Sequence, residues 1–172
     1  MKNIILIGMP SAGKSTVGVI LAKNIKKDFL DTDVLIQNQQ GLLLQDILDK
    51  FGTGYFIKAE QDTILSLDTQ NTVIATGGSV VYSQSAMEHL KKNGIIIYLK
   101  IDIHSIVKRL NNINTRGIVL GKGQTLSDIY NERKYLYEKY ADITVECSKL
   151  SISETVEEIL QKLDKYGSTQ IN

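Results

Sequence analysis

Short apolar runs alternate along the chain with longer stretches in which apolar residues recur every three or four positions. Most of the short runs are apolar at successive positions and rich in Ile and Val, which is typical of parallel strands buried on both faces. They lie at residues 3–7, 28–31, 72–75, 95–100 and 143–146. The longer stretches predict helices at residues 14–25, 34–40, 43–51, 56–67, 83–93, 103–110, 125–140 and 153–166. Strands alternating with helices of this length predict a three-layer α/β/α domain with a five-stranded parallel sheet.

Length and composition agree with one globular domain. The chain has 172 residues, of which 42% are hydrophobic and 23% charged, and these values are close to the average for soluble proteins. They exclude a disordered tail protein, a collagen-like fibre and a disulfide-rich scaffold. We therefore expect a single domain over residues 1–166 and a polar, frayed tail over residues 167–172.

Charge and cysteine content narrow the function further. The 20 basic and 19 acidic residues leave a net charge of +1, which is too small to attract nucleic acid or a membrane surface. The single cysteine, Cys147, fits a reducing compartment. The apolar run near the N-terminus lacks a cleavage site, so we interpret it as the first strand and not as a signal peptide. No apolar run approaches the ~20 residues that span a bilayer. We expect a cytoplasmic monomer that binds neither nucleic acid nor membranes.

The strongest motif is the run Gly8-Met9-Pro10-Ser11-Ala12-Gly13-Lys14-Ser15, followed by Thr16. It matches G-x-x-x-x-G-K-S/T without a mismatch, directly after a predicted strand and directly before a predicted helix. In this context the backbone N–H groups of residues 8–15, named the phosphate loop below, surround phosphates at the positive end of the helix. Lys14 is placed to reach the outer phosphates, and Ser15 offers a hydroxyl to Mg²⁺. The motif predicts nucleotide binding.

Two further motifs follow the second and third predicted strands. Asp31-Thr32-Asp33 comes at the carboxyl end of one, the edge of an open α/β sheet where ligands bind. One carboxylate there is suited to hydrated Mg²⁺ and the other to orienting and deprotonating an attacking hydroxyl, although Asp-x-Asp is also typical of a turn or a helix N-cap. Thr76-Gly77-Gly78-Ser79 follows the other strand, and its glycines allow backbone N–H groups to approach a ligand, although a plain turn has the same pattern.

In length and in the order of these motifs, residues 2–163 resemble the shikimate kinases, which are relatives of the nucleoside monophosphate kinases. Residues 8–16, Asp31-Thr32-Asp33 and the strand and turn at residues 73–79 resemble the first three family motifs. Thr115-Arg116 resembles the start of the family's lid motif. Arg133 and Tyr137 resemble an Arg-x-x-x-Tyr on the helix after the lid, and Arg109 matches a position that packs on the adenine.

The resemblance implies a P-loop kinase fold with a mobile lid, here at about residues 111–124, a segment rich in Gly and Asn. It implies phosphorylation of the 3-hydroxyl of shikimate by ATP with Mg²⁺, a step of aromatic amino-acid biosynthesis. The implied catalytic residues are Lys14, Asp33 and Arg116. The implied nucleotide site comprises Gly8, Ser11, Ala12, Gly13, Lys14, Ser15, Thr16, Arg109 and Arg116. The implied acceptor site comprises Asp33, Gly77, Gly78 and Arg133, and the implied Mg²⁺ ligands are Ser15 and Asp31. Each of the three arginines has the alternative interpretation of a solvated surface charge.

The chain departs from the family pattern near the third predicted helix. Phe56 and Glu60 match, but Thr53 stands where the family has Glu, and Ile57 stands where it has a second carboxylate-binding Arg. Lys58 is adjacent, yet neighbouring side chains on a helix point about 100° apart. Ser79 also replaces the last of three family glycines, and Gly117-Ile118-Val119 replaces the Pro-Leu-Leu that follows the lid arginine.

Three functions remain open on this basis. The first is a kinase that phosphorylates shikimate, and the second is a kinase of the same architecture with another small hydroxyl acceptor, which Ile57 and Thr53 favour. The third is a nucleotide-binding module without catalysis. Lys14, Asp31, Asp33 and Arg116 together argue against the third, because a sensor of nucleotide needs no acceptor-side base.

Overall fold

Five parallel strands form a single sheet in the computed structural model, which describes residues 2–110 and 123–169. The strands are β1 (Asn3–Ile7), β2 (Asp28–Asp31), β3 (Thr72–Ala75), β4 (Gly94–Lys100) and β5 (Ile143–Glu146). Their order across the sheet is β2-β3-β1-β4-β5. All four pairs are parallel, with Ile5 of β1 opposite Ile74 on one side and Ile96 on the other.

Helices connect and cover these strands. They are α1 (Lys14–Ile25), α2 (Thr32–Gln40), α3 (Leu44–Leu65), α4 (Gln84–Lys92), α5 (Ile103–Leu110), α6 (Leu126–Tyr140) and α7 (Ile152–Thr169). A short 3-10 turn, Val80–Tyr82, precedes α4. Side chains cap the N-termini of three of these helices. Asp31 caps α2, Ser83 caps α4, and Thr125 forms a capping box with Asp128 at α6.

The predicted α/β architecture is confirmed, and the differences are local. The two helices predicted at residues 43–51 and 56–67 join into α3, with a kink at Gly52, where the backbone φ of 79° is not helical. The helix predicted at residues 83–93 ends at Lys92 with Asn93 as its C-cap, and β4, predicted at residues 95–100, begins one residue earlier, at Gly94. The last helix continues to Thr169, so residues 167–169 are helical and not part of a tail.

The main hydrophobic core lies on both faces of the sheet and includes the four apolar residues of β1, Ile4 to Ile7. Strands buried on both faces explain the runs of successive apolar residues in the sequence. A second, smaller cluster of Ile36, Ile47 and Phe56 packs α2 against α3. This pair of helices rises beside the carboxyl ends of β2 and β3, where it forms one wall of a cleft.

Two further predictions concern the lid and the expectation that no segment spans a membrane. Residues 111–122 of the predicted lid, Arg116 among them, lie outside the described residues. No helix within residues 2–110 and 123–169 combines the length and the apolar character needed to cross a bilayer.

Candidate active site

A cleft of about 600 Å³ opens at the carboxyl edge of the sheet, where the ends of β1, β2 and β3 meet α2, α3 and α6. Parallel α/β sheets bind ligands at this edge. The cleft brings together most of the predicted site residues: Ser11, Gly13, Lys14, Ser15, Asp31, Asp33, Gly77, Gly78 and Arg133. Gly8, Ala12 and Thr16 belong to the phosphate loop or the first turn of α1 but do not line the cleft.

The phosphate loop wraps around the side chain of Lys14. The Lys14 Nζ donates hydrogen bonds to the carbonyl oxygens of Gly8 and Met9, at 2.8 and 2.9 Å, and the residue is only 9% exposed. Ser11 adopts a positive φ of 66°, and its buried hydroxyl has no hydrogen-bond partner. A buried cation and an unpaired donor beside the first turn of a helix fit an anionic phosphate chain.

Asp31 is the last residue of β2, and Asp33 lies in the first turn of α2. One oxygen of Asp31 accepts a hydrogen bond from the Asp33 backbone N–H at 3.0 Å, so Asp31 is the N-cap of α2, as the alternative interpretation of the motif held. Both carboxylates nevertheless line the cleft, together with the exposed Ser15. A hydroxyl and a carboxylate are the hard oxygen ligands that Mg²⁺ takes beside phosphates, so Ser15 and Asp31 suit that ion.

The turn Gly77-Gly78 follows the carboxyl end of β3 and lines the cleft. The Gly77 N–H donates to Thr32 Oγ1 at 3.2 Å, which ties the turn to the Asp31-Thr32-Asp33 segment. A methyl group on Gly78 would lie 2.9 Å from Pro10 Cδ and 3.1 Å from an Arg133 guanidinium nitrogen. Only glycine therefore allows the phosphate loop, this turn and Arg133 to pack together.

Arg133 is a buried cation that lines the cleft. It lies on α6 and is 1% exposed, which rules out the alternative of a solvated helix face. Its Nε donates to the Tyr82 hydroxyl at 3.2 Å, and its guanidinium carbon lies 5.1 Å from the centre of the Tyr82 ring. A planar guanidinium held in this way presents paired donors to a carboxylate.

Tyr137, one helical turn after Arg133, holds the glycine turn from behind. Its hydroxyl donates to the Gly78 carbonyl at 2.6 Å, and its ring stacks on Tyr98 of β4 with centroids 5.0 Å apart. Burial raises the pKa of the Tyr137 hydroxyl well above its ordinary value, so the hydroxyl stays a donor. Tyr137 thereby fixes the position of Gly78 against the sheet.

A buried carboxylate lies beneath the same turn. Glu60 is 1% exposed and accepts a hydrogen bond from Ser79 Oγ at 2.7 Å. Burial raises its pKa from 4.5 to about 7; the Ser79 hydrogen bond opposes this shift and the charge of Asp33 adds to it. Ser79, at the position of the third family glycine, therefore has a partner that the sequence did not predict.

Of the other two predicted arginines, Arg109 lies within the described residues and Arg116 does not. Arg109 at the end of α5 is half-buried and donates to the Ser11 carbonyl at 3.2 Å, so it contacts the phosphate loop and is not a free surface charge. Arg116 lies outside the described residues.

The departures from the family pattern lie on α3. Ile57 packs on the second hydrophobic cluster and does not itself line the cleft, although Phe56 and Leu44 beside it do. Lys58 is exposed and pairs with Asp62 at 3.1 Å, away from the cleft, so it does not replace the missing arginine.

The sequence assigned no role to several residues that the structure places at the site, although Glu60 and Ser79 belong to segments compared with the family. Tyr82, Glu60 and Ser79 contact Arg133 or the glycine turn, and Gln37 and Asp46 line the cleft from α2 and α3. Their signal is tertiary, because each is brought to the site by packing between elements distant in sequence. Only Glu60, as a polar residue within an apolar helical face, carries a local sign of its burial.

Comparison with known proteins agrees with the geometry. The protein-family model described as shikimate kinase matches residues 10–164. A shikimate kinase from Sulfurihydrogenibium sp. (strain YO3AOP1) is 34% identical over 166 residues, which cover 96% of this chain and 99% of the relative. The structure of Acinetobacter baumannii shikimate kinase in complex with shikimate is similar with a TM-score of 0.89 and 30% identity, covering 96% of this chain and 94% of that one.

A second solved structure supports the same assignment. The crystal structure of Aquifex aeolicus shikimate kinase is similar with a TM-score of 0.82 and 31% identity, covering 96% of this chain and 98% of that one. The phosphate loop, the Asp31-Thr32-Asp33 segment and the buried Arg133 thus occur in a chain whose sequence and fold match that family over nearly its whole length. The chain belongs to the shikimate kinase family.

Proposed function

We propose that the protein transfers the γ-phosphoryl group of ATP to the 3-hydroxyl of shikimate. The observation that carries this proposal is the buried guanidinium of Arg133 in the same cleft as the phosphate loop and Asp33. Because burial of an arginine is costly, its retention beside an open cleft favours an anionic ligand. A hydroxy acid such as shikimate supplies both the carboxylate for Arg133 and the hydroxyl for Asp33.

The nucleotide end of the cleft stabilises the transferring phosphoryl group. Lys14 is buried, so its charge acts on the outer phosphate oxygens with little screening by water. Ser15 and Asp31 would hold Mg²⁺, which neutralises charge on the phosphates when it is bound. Arg109 donates to the Ser11 carbonyl of the phosphate loop, and by the family resemblance it would pack on the adenine.

The acceptor end positions the nucleophile. Asp33 accepts the proton of the acceptor hydroxyl as that oxygen forms a bond to the γ-phosphorus. The bond from the γ-phosphorus to the bridging oxygen breaks, and ADP leaves. Arg133 and the Gly77-Gly78 turn hold the acceptor so that its hydroxyl faces the phosphate loop, which lowers the entropic part of the barrier. Arg116 and the lid at residues 111–124 complete this proposal by adding charge and excluding water when both substrates are bound.

A kinase with a different small acceptor is the second candidate. It is favoured by the placement of Ile57 against apolar residues and of Lys58 against Asp62, because the cleft then receives no second carboxylate-binding cation from this part of α3. An acceptor without a carboxylate would need only the hydroxyl-binding part of the site.

Release of ADP with different acceptors tests the proposal. The purified protein is assayed with ATP and Mg²⁺, with shikimate or with polyols that lack a carboxylate, and the phosphorylated product is identified by ³¹P NMR. We expect release of ADP with shikimate and a 3-phosphate product. Turnover with a neutral polyol and none with shikimate would instead establish the second candidate.

A further inference from the structure

Glu60 is a buried carboxylate behind the wall of the cleft. It lies on α3, is 1% exposed and does not line the cleft itself. Its Oε2 accepts from Ser79 Oγ at 2.7 Å, whereas its Oε1 is buried without a hydrogen-bond partner. An ionised carboxylate has two oxygens that require donors, so an unpaired buried oxygen is a costly arrangement for the anion.

A second carboxylate approaches the same point of the backbone. A methyl group built on Gly77 would clash with Glu60 Oε1 and would lie 2.9 Å from Asp33 Oδ1. Both carboxylates therefore converge on the α-carbon of Gly77. When two carboxylates share a site, repulsion between them keeps the more buried one protonated.

The remaining charges around Glu60 come from three other elements. Asp33 on α2 opposes its ionisation, whereas Arg133 on α6 and Lys14 on α1 favour it, and Tyr137 on α6 is a neutral neighbour. Burial is the largest influence, and together they raise the pKa of Glu60 from 4.5 to about 7. The hydroxyl of Ser79 is hydrogen-bonded to Glu60.

We propose that Glu60 is a positioning residue that works in its neutral form, bound to Ser79, and that it holds the Gly77–Ser79 turn in place without adding a second negative charge beside Asp33. This proposal rests on the proposed function, because the charge of Glu60 would change the affinity for an anionic acceptor that binds at Arg133. Ionisation of Glu60 places another negative charge behind the acceptor site. Affinity for a carboxylate-bearing acceptor therefore falls as the pH rises through the pKa of Glu60, and recovers below it.

The dependence of kcat/KM for shikimate on pH, between about pH 6 and 9, tests this role. In the wild type we expect kcat/KM to fall about fivefold between pH 7 and 8, as the neutral fraction of Glu60 does. Glu60→Gln, which is neutral at every pH, is expected to lack this fall and to exceed the wild type above pH 8. Ser79→Ala removes a hydrogen bond that favours the ionised form of Glu60, so in this variant we expect kcat/KM to fall at a higher pH than in the wild type. Glu88→Gln, which removes an exposed carboxylate on α4, is the matched control and should keep the wild-type profile.

Two outcomes would overturn the proposal. One is a folded Glu60→Gln variant that is inactive at every pH, since this would mean that the anion is required. The other is an unchanged alkaline fall in that variant. A direct titration of the glutamate carboxyl carbons by ¹³C NMR, with Glu60→Gln to assign the signal, reports the protonation state without any turnover. If Glu60 titrates with the exposed glutamates, the proposal fails; if the wild type does not phosphorylate shikimate at all, only the proposed function fails.

Discussion

Removing one hydroxyl behind the glycine turn should separate acceptor binding from ATP binding. In Tyr137→Phe the ring keeps its stack on Tyr98, but the 2.6 Å hydrogen bond to the Gly78 carbonyl is lost. Gly78 is half-buried, so leaving its carbonyl without this partner costs about 1–2 kcal/mol. The loss loosens the turn against which Arg133 packs.

The expected effects follow from which end of the cleft the turn supports. We expect the free energy of unfolding to fall by about 1–2 kcal/mol. We expect the KM for shikimate to rise by about three- to tenfold, because the acceptor must then order a loosened turn when it binds, and this reduces its binding free energy. The KM for ATP should change less than twofold, since Lys14 is held by the carbonyl oxygens of Gly8 and Met9, and the Tyr137 hydroxyl reaches the phosphate loop through a long, weak contact of 3.9 Å with Met9 Sδ.

Urea unfolding and ADP release measure the two effects. Tyr135→Phe is the matched control, because Tyr135 lies on the same helix and is 71% exposed. Equal increases in the KM for both substrates would refute the reasoning, as would a Tyr137→Phe variant with wild-type stability and kinetics. Either result would mean that the hydroxyl does not position the turn.

Four further substitutions test other parts of the site. Lys14→Ala removes a buried cation from the phosphates and should lower turnover on the order of a hundredfold, so turnover within threefold of wild type at saturating ATP would exclude the assigned role. Asp33→Asn should lower turnover with little change in ATP affinity, whereas Asp31→Asn should raise the Mg²⁺ concentration required; an Asp33→Asn enzyme with intact turnover and acceptor affinity would contradict the assigned base. Ile57→Arg should lower the KM for shikimate and leave that for ATP nearly unchanged, because it restores the second carboxylate-binding cation of the family pattern beside Phe56, which lines the cleft; unchanged shikimate kinetics would show that position 57 does not reach the acceptor.

Local patterns in the sequence predicted the strands and the phosphate loop well. Residues 3–7, 28–31, 72–75 and 143–146 are strands with the predicted bounds. In Asn3–Ile7 and Thr72–Ala75 the signal is a run of successive apolar residues, which are buried in the sheet. The phosphate loop depends on consecutive residues, so its spacing is visible in the sequence. The same holds for Asp31 and Asp33, whose place at the end of β2 follows from chain order alone.

Features that depend on packing between distant elements could not be predicted in the same way. The hydrogen bond between Ser79 and Glu60 joins residues from β3's turn and α3, and the contact of Arg133 with Tyr82 joins α6 to the segment before α4. In both cases the contact joins elements that are distant in sequence, so no local pattern indicates it. The break between the two helices predicted at residues 43–51 and 56–67, by contrast, corresponds to the non-helical Gly52 within α3.

The central claim is that Arg133 binds the carboxylate of the acceptor while Asp33 and the phosphate loop act on its hydroxyl. The most direct test compares kcat/KM for shikimate with that for shikimate methyl ester, in the wild type and in Arg133→Met, so that changes in protein stability cancel within each ratio. Since a charge-assisted hydrogen bond is worth about 1.5–3 kcal/mol, the wild type should prefer shikimate by about ten- to a hundredfold, and Arg133→Met should lose that preference. An equal preference in both proteins, or none in the wild type, would contradict the account.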